Sequence, residues 1–187
     1  MALARVRVAT AGDVDEIVRI QADTWRAAYA ELVPDAALQL LTGSAARDAW
    51  AAAVSAGEGH HVLVATEGEW AVGFCAAAPA DTEEPGASAD HAQIVTLLVE
   101  PRWGRRGHGR RLLAAAFEAL AADGARDGVV WLPEQDVASR ACYDRIGWDP
   151  DGLVRTLDAG DRELREIRLA GPLRIEARDP RQGVSGG

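Results

Sequence analysis

Residues 105–111 read RRGHGRR, four arginines with two glycines and a histidine, in a chain whose formal net charge is −9. The preceding run IVTLLVEP (94–101) has the composition of a strand, and the following LLAAAFEALAA (112–122) has that of a helix. The basic stretch is therefore a strand-to-helix turn. At a helix N-terminus several backbone N–H groups lack intrahelical partners and the macrodipole is positive, which suits a phosphate. Glycine lets the backbone approach closely, and arginine adds bidentate hydrogen bonds. Gly104, Gly107 and Gly109 give the spacing GxxGxG. A Walker turn needs GxxxxGK followed by Ser or Thr, and a dinucleotide turn needs GxGxxG, so neither fits. Two readings remain: a site for some other diphosphate, or a tight turn carrying a solvated arginine face.

The elements around the turn follow from periodicity and capping chemistry. RVRVA (5–9) alternates polar and apolar as a half-buried strand, and Thr10 with Asp13 supplies start signals for a helix over 14–29. Pro34 opens a short helix over 35–41, and Ser44 caps another over 45–56. Strands at 61–66 and 70–78 form a hairpin, and a loop rich in Pro, Gly, Ser and acidic residues (79–90) leads to the strand beginning at Ile94. A helix over 109–122 ends at Gly124, a strand covers 128–132, and a helix over 137–146 ends at Gly147. Two strands joined by DAGD (158–161) complete one domain over residues 1–173, and the Gly-, Pro- and charge-rich stretch 174–187 is expected to be a disordered tail. The order is mixed α/β, and its central strand-helix-strand crossover favours a parallel pair.

Two blocks carry a family resemblance. LLVEP (97–101) followed by RRGHGR (105–110) resembles the acetyl-coenzyme A signature of the GNAT N-acetyltransferase superfamily: Gln or Arg, two residues, Gly, one residue, Gly or Ala. DVASRACYDRIGW (136–148) resembles that family's Asn-x-x-Ala/Ser-x-x-x-Tyr-x-x-x-Gly-Phe segment, with Ser139, Tyr143, Gly147 and Trp148 in matching places. ATAGDVDEI and TWRAAYAELVP also look like openings of this family, so the similarity spans roughly residues 6–170. The resemblance implies a mixed, mostly antiparallel twisted sheet with a parallel pair splayed at the cofactor site and helices on both faces. It implies acetyl-CoA as cosubstrate, no metal, and a small-molecule or peptide amine as acceptor. Leu97, Leu98 and Val99 would pair with the pantetheine through their backbone, and the N–H groups of Arg105, Arg106, Gly107, His108, Gly109 and Arg110 would hold the pyrophosphate. Asp136 and Ser139 join the cofactor set by their place in the second block.

In the same resemblance the Val99 N–H serves the oxyanion and Tyr143 protonates the departing thiolate. The general base is open: Glu134, just after the strand at 128–132, stands first, and Glu100, His91 and a water relay compete. Trp25 and Tyr29, with Arg26 and Glu31 beside them, line the acceptor pocket or pack as an i,i+4 core pair. Three positions depart from the family pattern. Gly104 stands where the signature has Gln or Arg, Asp136 where the second block has Asn, and Trp131 where some relatives carry a catalytic Glu. These departures motivate a second reading, a non-catalytic acyl-CoA sensor or interaction domain.

Composition bounds the rest. A sequence pI near 4.9 opposes nucleic acid and anionic membrane surfaces as partners. No apolar run approaches the length of a membrane span and the N-terminal stretch lacks a leader's apolar core, so a cytoplasmic protein is expected. Cys75 and Cys142 make neither a metal spacing nor a disulfide framework and are expected to be reduced. Six tryptophans leave a homodimer open.

Overall fold

A computed structural model describes residues 3–29, 34, 39, 43–84, 86, 88, 90–158 and 163–175. Seven strands, β1 (Ala4–Val8), β2 (His61–Glu67), β3 (Trp70–Pro79), β4 (His91–Val99), β5 (Asp127–Pro133), β6 (Asp149–Asp158) and β7 (Glu163–Pro172), form one sheet in the order β1-β2-β3-β4-β5-β7-β6. Every pairing is antiparallel except β4 with β5. Helices α1 (Val14–Tyr29) and α2 (Ser44–Ser55) cover one face, where Ile17 and Ile20 pack on Val62, Val64, Phe74 and Leu98. Helix α3 (His108–Ala122) covers the other, burying Leu112, Leu113, Ala116, Phe117 and Leu120 against Val72, Cys75, Ile94 and Val130. The short helix α4 (Val137–Asp144) adds Tyr143 to that second core.

The first helix starts as its sequence requires. Asp13 accepts from the Thr10 amide at 2.7 Å and the Thr10 hydroxyl at 2.9 Å, and Arg7 donates to both of its oxygens at 2.7 Å. Other boundaries move by a few residues. Gly43, not Ser44, is the N-cap of α2, because Ser44 already has helical geometry. Helix α4 stops at Asp144, and residues 145–147 form a turn with Gly147 at φ 86. Strand β4 begins three residues earlier than expected, at His91. Of the helix expected over 35–41 only Gln39, which is helical, is described; its other residues, the centre of the DAGD turn and the tail from 176 onward lie outside the described residues.

Two features of the sheet shape its middle. Ala76 faces Thr96 while Ala77 faces Ile94, so Val95 is the extra residue of a bulge in β4. A bulge bends its strand and reverses which face the following side chains reach. Ala92 and Ile94 point to the α3 side before it, and Leu97 and Val99 do so after it. The β4–β5 ladder joins only His91–Gln93 to Asp127–Val129 and then ends.

Facing glycines make a slot for Trp148, the residue that closes the second sequence block. Gly128 pairs with Gly171 across β5 and β7. A Cβ on Gly171 would lie 2.3 Å from the indole Cδ1, and one on Gly128 2.7 Å from Cη2. The indole N–H donates to the Pro172 carbonyl at 3.0 Å, and the ring stacks on Phe117 at 5.3 Å and 6°.

Gly171→Ala is therefore expected to cost about 1–3 kcal/mol, the usual range for overpacking a filled core, read as a lower urea midpoint with m unchanged. A second expectation concerns acid. Hydrogen bonding from Arg7 holds the Asp13 carboxyl well below the usual carboxylate range, against the opposing effect of burial. A depressed folded-state pKa stabilises above the unfolded value, near 4, and that stability disappears as pH falls through the folded value. Asp13→Asn should lower the melting temperature at pH 7, and the gap to wild type should narrow progressively below about pH 4.

Candidate functional site

The gap left by the end of the β4–β5 ladder opens above the N-terminus of α3. Gly107 caps that helix at φ 81, ψ 8, a left-handed conformation that glycine adopts without a Cβ penalty. The amides of His108, Gly109 and Arg110 are in the helix's first turn, where no intrahelical acceptor exists. A cleft of about 680 Å³ runs between this turn and α4, with Leu97 and Val99 on its β4 wall and Ala138, Ser139, Cys142, Arg145 and Ile146 opposite. A second pocket of about 110 Å³ opens on the α1 side, lined by Trp25, Tyr29, Val95, Thr96, Trp131, Tyr143 and Glu166 among others. Leu97 and Ser139 belong to both, so the two cavities meet there.

Strand alternation decides which β4 amides reach the gap. Glu100 N–H bonds the Val72 carbonyl of β3 at 2.9 Å, which turns the backbone groups of Leu98 to β3 as well and those of Leu97 and Val99 to the β5 side. Leu98 is thereby corrected: its backbone is part of the β3–β4 ladder, and its side chain lines the second pocket. Leu97, Val99, Arg105, Gly107, His108, Gly109, Arg110 and Ser139 all border the cleft. Arg106 is not among its lining residues. Its guanidinium stacks 4.7 Å from the Trp103 ring and reaches Glu67 at 3.3 Å. His108, 2% exposed, places Nε2 2.9 Å from the other oxygen of Glu67. Glu67 thus ties the end of β2 to the basic turn, a role no local sequence signal marks.

Asp136 sits elsewhere than the second block implied. It is the N-cap of α4, accepting from the Ser139 amide at 2.9 Å, and its other oxygen accepts from the Tyr29 hydroxyl. Burial first, and that bond second, push the Tyr29 hydroxyl up in pKa. Trp25 packs on Tyr29 at 5.0 Å, and both line the smaller pocket. Tyr143 is 1% exposed on the same pocket, and its hydroxyl has no hydrogen-bond partner among the described residues. Burial drives its pKa far above the ordinary tyrosine value.

The expected bases do not gather here. Glu134 lines neither cavity and pairs at the surface with Arg165 at 3.1 Å. Glu100 is buried between Arg19 and Arg102, and His91 faces a separate pocket with Asp123. The carboxylate that does line the second pocket is Glu166, buried and paired with Arg155 at 2.6 Å. Its place depends on strand pairing, with Pro133 on one side and Arg155 on the other, and no motif announces it.

Residues 15–148 match the Acetyltransferase (GNAT) family. The uncharacterized N-acetyltransferase YuaI of Bacillus subtilis (strain 168) is 33% identical over 132 residues, 70% of this chain and 72% of that protein. In fold, the chain is similar to the PaiA N-acetyltransferase of Thermoplasma acidophilum in complex with coenzyme A, at TM-score 0.75 and 12% identity over 91% of this chain and 99% of that one. It is also similar to yncA of Salmonella typhimurium, a putative acetyltransferase with its cofactor acetyl-CoA, at TM-score 0.68 and 20% identity over 94% and 96%.

The turn itself carries a cost. Arg105 has φ 61, the single non-glycine residue with positive φ among the described residues, while its neighbour Gly104 has φ −59, ψ 158, which any residue adopts. The left-handed region costs an L-residue roughly 1–2 kcal/mol, partly offset in a glycine replacement by the extra freedom of the unfolded chain. Arg105→Gly should raise stability by about 0.5–1 kcal/mol in urea titrations without ligand, and Gly104→Ala should give no comparable gain.

Proposed function

The chain belongs to the acetyltransferase (GNAT) family and is an acetyltransferase, and we propose that it moves the acetyl group of acetyl-CoA to a primary amine in the gap between β4 and β5. The observation that carries this reading is the end of the β4–β5 ladder at Gln93 and Val129, directly above a helix N-terminus built for a phosphate. The residues fit the cofactor. The first-turn amides of α3, Arg105 and Arg110 supply charge and donors for the pyrophosphate, and the backbone of Leu97 and Val99 supplies edge hydrogen bonds for the pantetheine amides.

Bound acetyl-CoA supplies a thioester for the amine to attack and a thiolate to leave. The acceptor enters from the pocket of Trp25, Tyr29 and Trp131. A primary amine near pKa 10 arrives protonated, so a proton must go before attack, and a water on the Glu166 wall accepts it. The Val99 N–H, turned toward the gap, donates to the oxygen on which charge develops. Tyr143, kept protonated by its burial, gives its proton to the departing sulfur and takes the second proton of the attacking nitrogen in exchange, so the tyrosine is restored and the products are the acetylated amine and coenzyme A thiol. Attack is direct, without an acylated enzyme. Burial pushes the Cys75 thiol up to about 12 and raises Cys142, so neither thiol is ionised as a nucleophile. A buried tyrosine hydroxyl without a partner favours catalysis over the sensor reading, because mere cofactor storage gives it no use.

Tyr143→Phe separates a catalytic hydroxyl from a structural one. Thiol release with a panel of amines should fall about 100-fold in kcat, within the range for loss of a general acid. Stability in urea should hold or rise, because the deleted group makes no hydrogen bond. A kcat within three-fold of wild type would remove Tyr143 from the mechanism.

A further inference from the structure

Three hydrogen-bond donors from three strands converge on one loop carboxylate, and one of them, Trp131, is a wall of the second pocket. The Trp131 indole N–H lies 3.1 Å from both oxygens of Glu84, a residue of the loop between β3 and β4. Arg155 of β6 lies 3.5 Å from one of those oxygens and Arg168 of β7 3.5 Å from the other. The arginines are held from behind. Arg155 donates to Glu166 at 2.6 Å, Arg168 donates to Asp151 at 2.7 Å, and their guanidiniums stand 4.3 and 5.8 Å from the Trp131 ring centroid. Yet the fit to Glu84 is loose. Arg168 is 4% exposed and its buried Nη1 makes no hydrogen bond among the described residues, whereas a charge-assisted N–H···O bond closes to roughly 2.7–2.9 Å. A buried guanidinium donor left unsatisfied is costly, so the site suits a carboxylate that comes nearer than Glu84 does.

We propose that Trp131, Arg155 and Arg168 form the carboxylate subsite of the acceptor, that the acceptor is a small α-amino acid, and that Glu84 is a resident placeholder that its carboxylate displaces. This rests on the acetyltransferase reading given above. Trp131, Glu166 and Tyr143 are walls of one pocket of about 110 Å³, a few waters' worth at about 30 Å³ each, so an acceptor bound at Trp131 keeps its amine beside Glu166 and Tyr143. Charge agrees. Two arginines face three carboxylates, Glu84, Asp151 and Glu166. Exchange of Glu84 for a zwitterion leaves the carboxylates at the donors unchanged in number and adds an ammonium next to Glu166. An amine without a carboxylate leaves Glu84 in its place and the Arg168 donor unsatisfied. Trp131 thereby has a role of its own at the position where the family resemblance led one to look for a glutamate.

The test is the ratio of kcat/KM for free amino acids to that for their amides, measured by thiol release at saturating acetyl-CoA with the full chain. Glycine, alanine, serine and threonine are compared with the four corresponding amides. Glu84→Ala should raise the ratio at least five-fold. Trp131→Phe, which keeps the ring and removes only the N–H, should lower it at least five-fold, and Arg155→Met should lower it at least ten-fold. A ratio that does not move in Glu84→Ala, or that moves the same way in Glu84→Ala and Trp131→Phe, overturns the subsite. Calorimetry on the coenzyme A complex of Glu84→Ala gives an independent readout with N-acetylalanine and N-acetylalaninamide. Binding of the acid alone supports the proposal, and equal binding of both or of neither overturns it. Failure to acetylate any amine would count against the transferase reading while this binding comparison still decides the subsite.

Discussion

The site exists because β4 and β5 separate after Gln93 and Val129. Strand β5 is held to β7 along its whole length, from Asp127 to Pro133, whereas β4 stays with β3 and bends at the Val95 bulge. The two strands are thus committed to diverging partners. Backbone amides turned into the resulting gap have lost their ladder, and a buried amide needs another acceptor or water. A gap inside a sheet, lined with unsatisfied strand edge, is ready to accept an extended ligand that carries amides of its own. The same divergence lets α3 bring its N-terminus beside the opening, so the strand edge and the basic turn border one cleft from two sides.

Against a net charge of −9, the positive turn keeps its effect through distance and pairing. Screening at physiological salt limits exposed charges to about 8 Å, so carboxylates elsewhere on the surface contribute little at the cleft. Within the turn the charges are divided in labour. Arg106 is engaged by Glu67 and the Trp103 ring, and Glu67 also fixes the first residue of α3 through His108. Arg105 and Arg110 face the cleft. One pair of contacts shapes the turn while Arg105 and Arg110 are left to line the cleft.

Much of this was legible in the sequence where a local rule operates. The strand at RVRVA, the Thr10–Asp13 start, the glycines before α3 and the crossover that makes β4 and β5 parallel all appear where they were expected, although Val8 is exposed where the alternation would bury it. Failures occur where the outcome depends on another strand. The bulge at Val95 lies in a run without Gly or Pro, so nothing local marks the change of face, and Leu98 was read as a cofactor contact although its backbone is turned to β3. Glu134 stands at a strand end, a favourable place for catalysis in general, but β7 offers Arg165 to it and turns it outward. Glu166 reaches the pocket through pairings with β5 and β6 that span 33 and 11 residues of chain.

Asp136 shows how one substitution can change a residue's task. Asparagine has a single oxygen to offer, but the two carboxylate oxygens here serve two donors at once, the Ser139 amide and the Tyr29 hydroxyl. A negative charge is favoured at a helix N-terminus, so the cap is stabilised by the charge that would oppose a nearby diphosphate. Through this carboxylate the last turn of α1, which carries the aromatic wall of the smaller pocket, is joined to the first turn of α4, which lines the cleft. The opposite end of the block is fixed by Trp148 in its slot between Gly128 and Gly171. Tyr143 lies between these anchors and against Trp148 at 5.3 Å, so its hydroxyl is positioned by contacts at both ends of α4 and needs no hydrogen bond of its own to hold it at the junction.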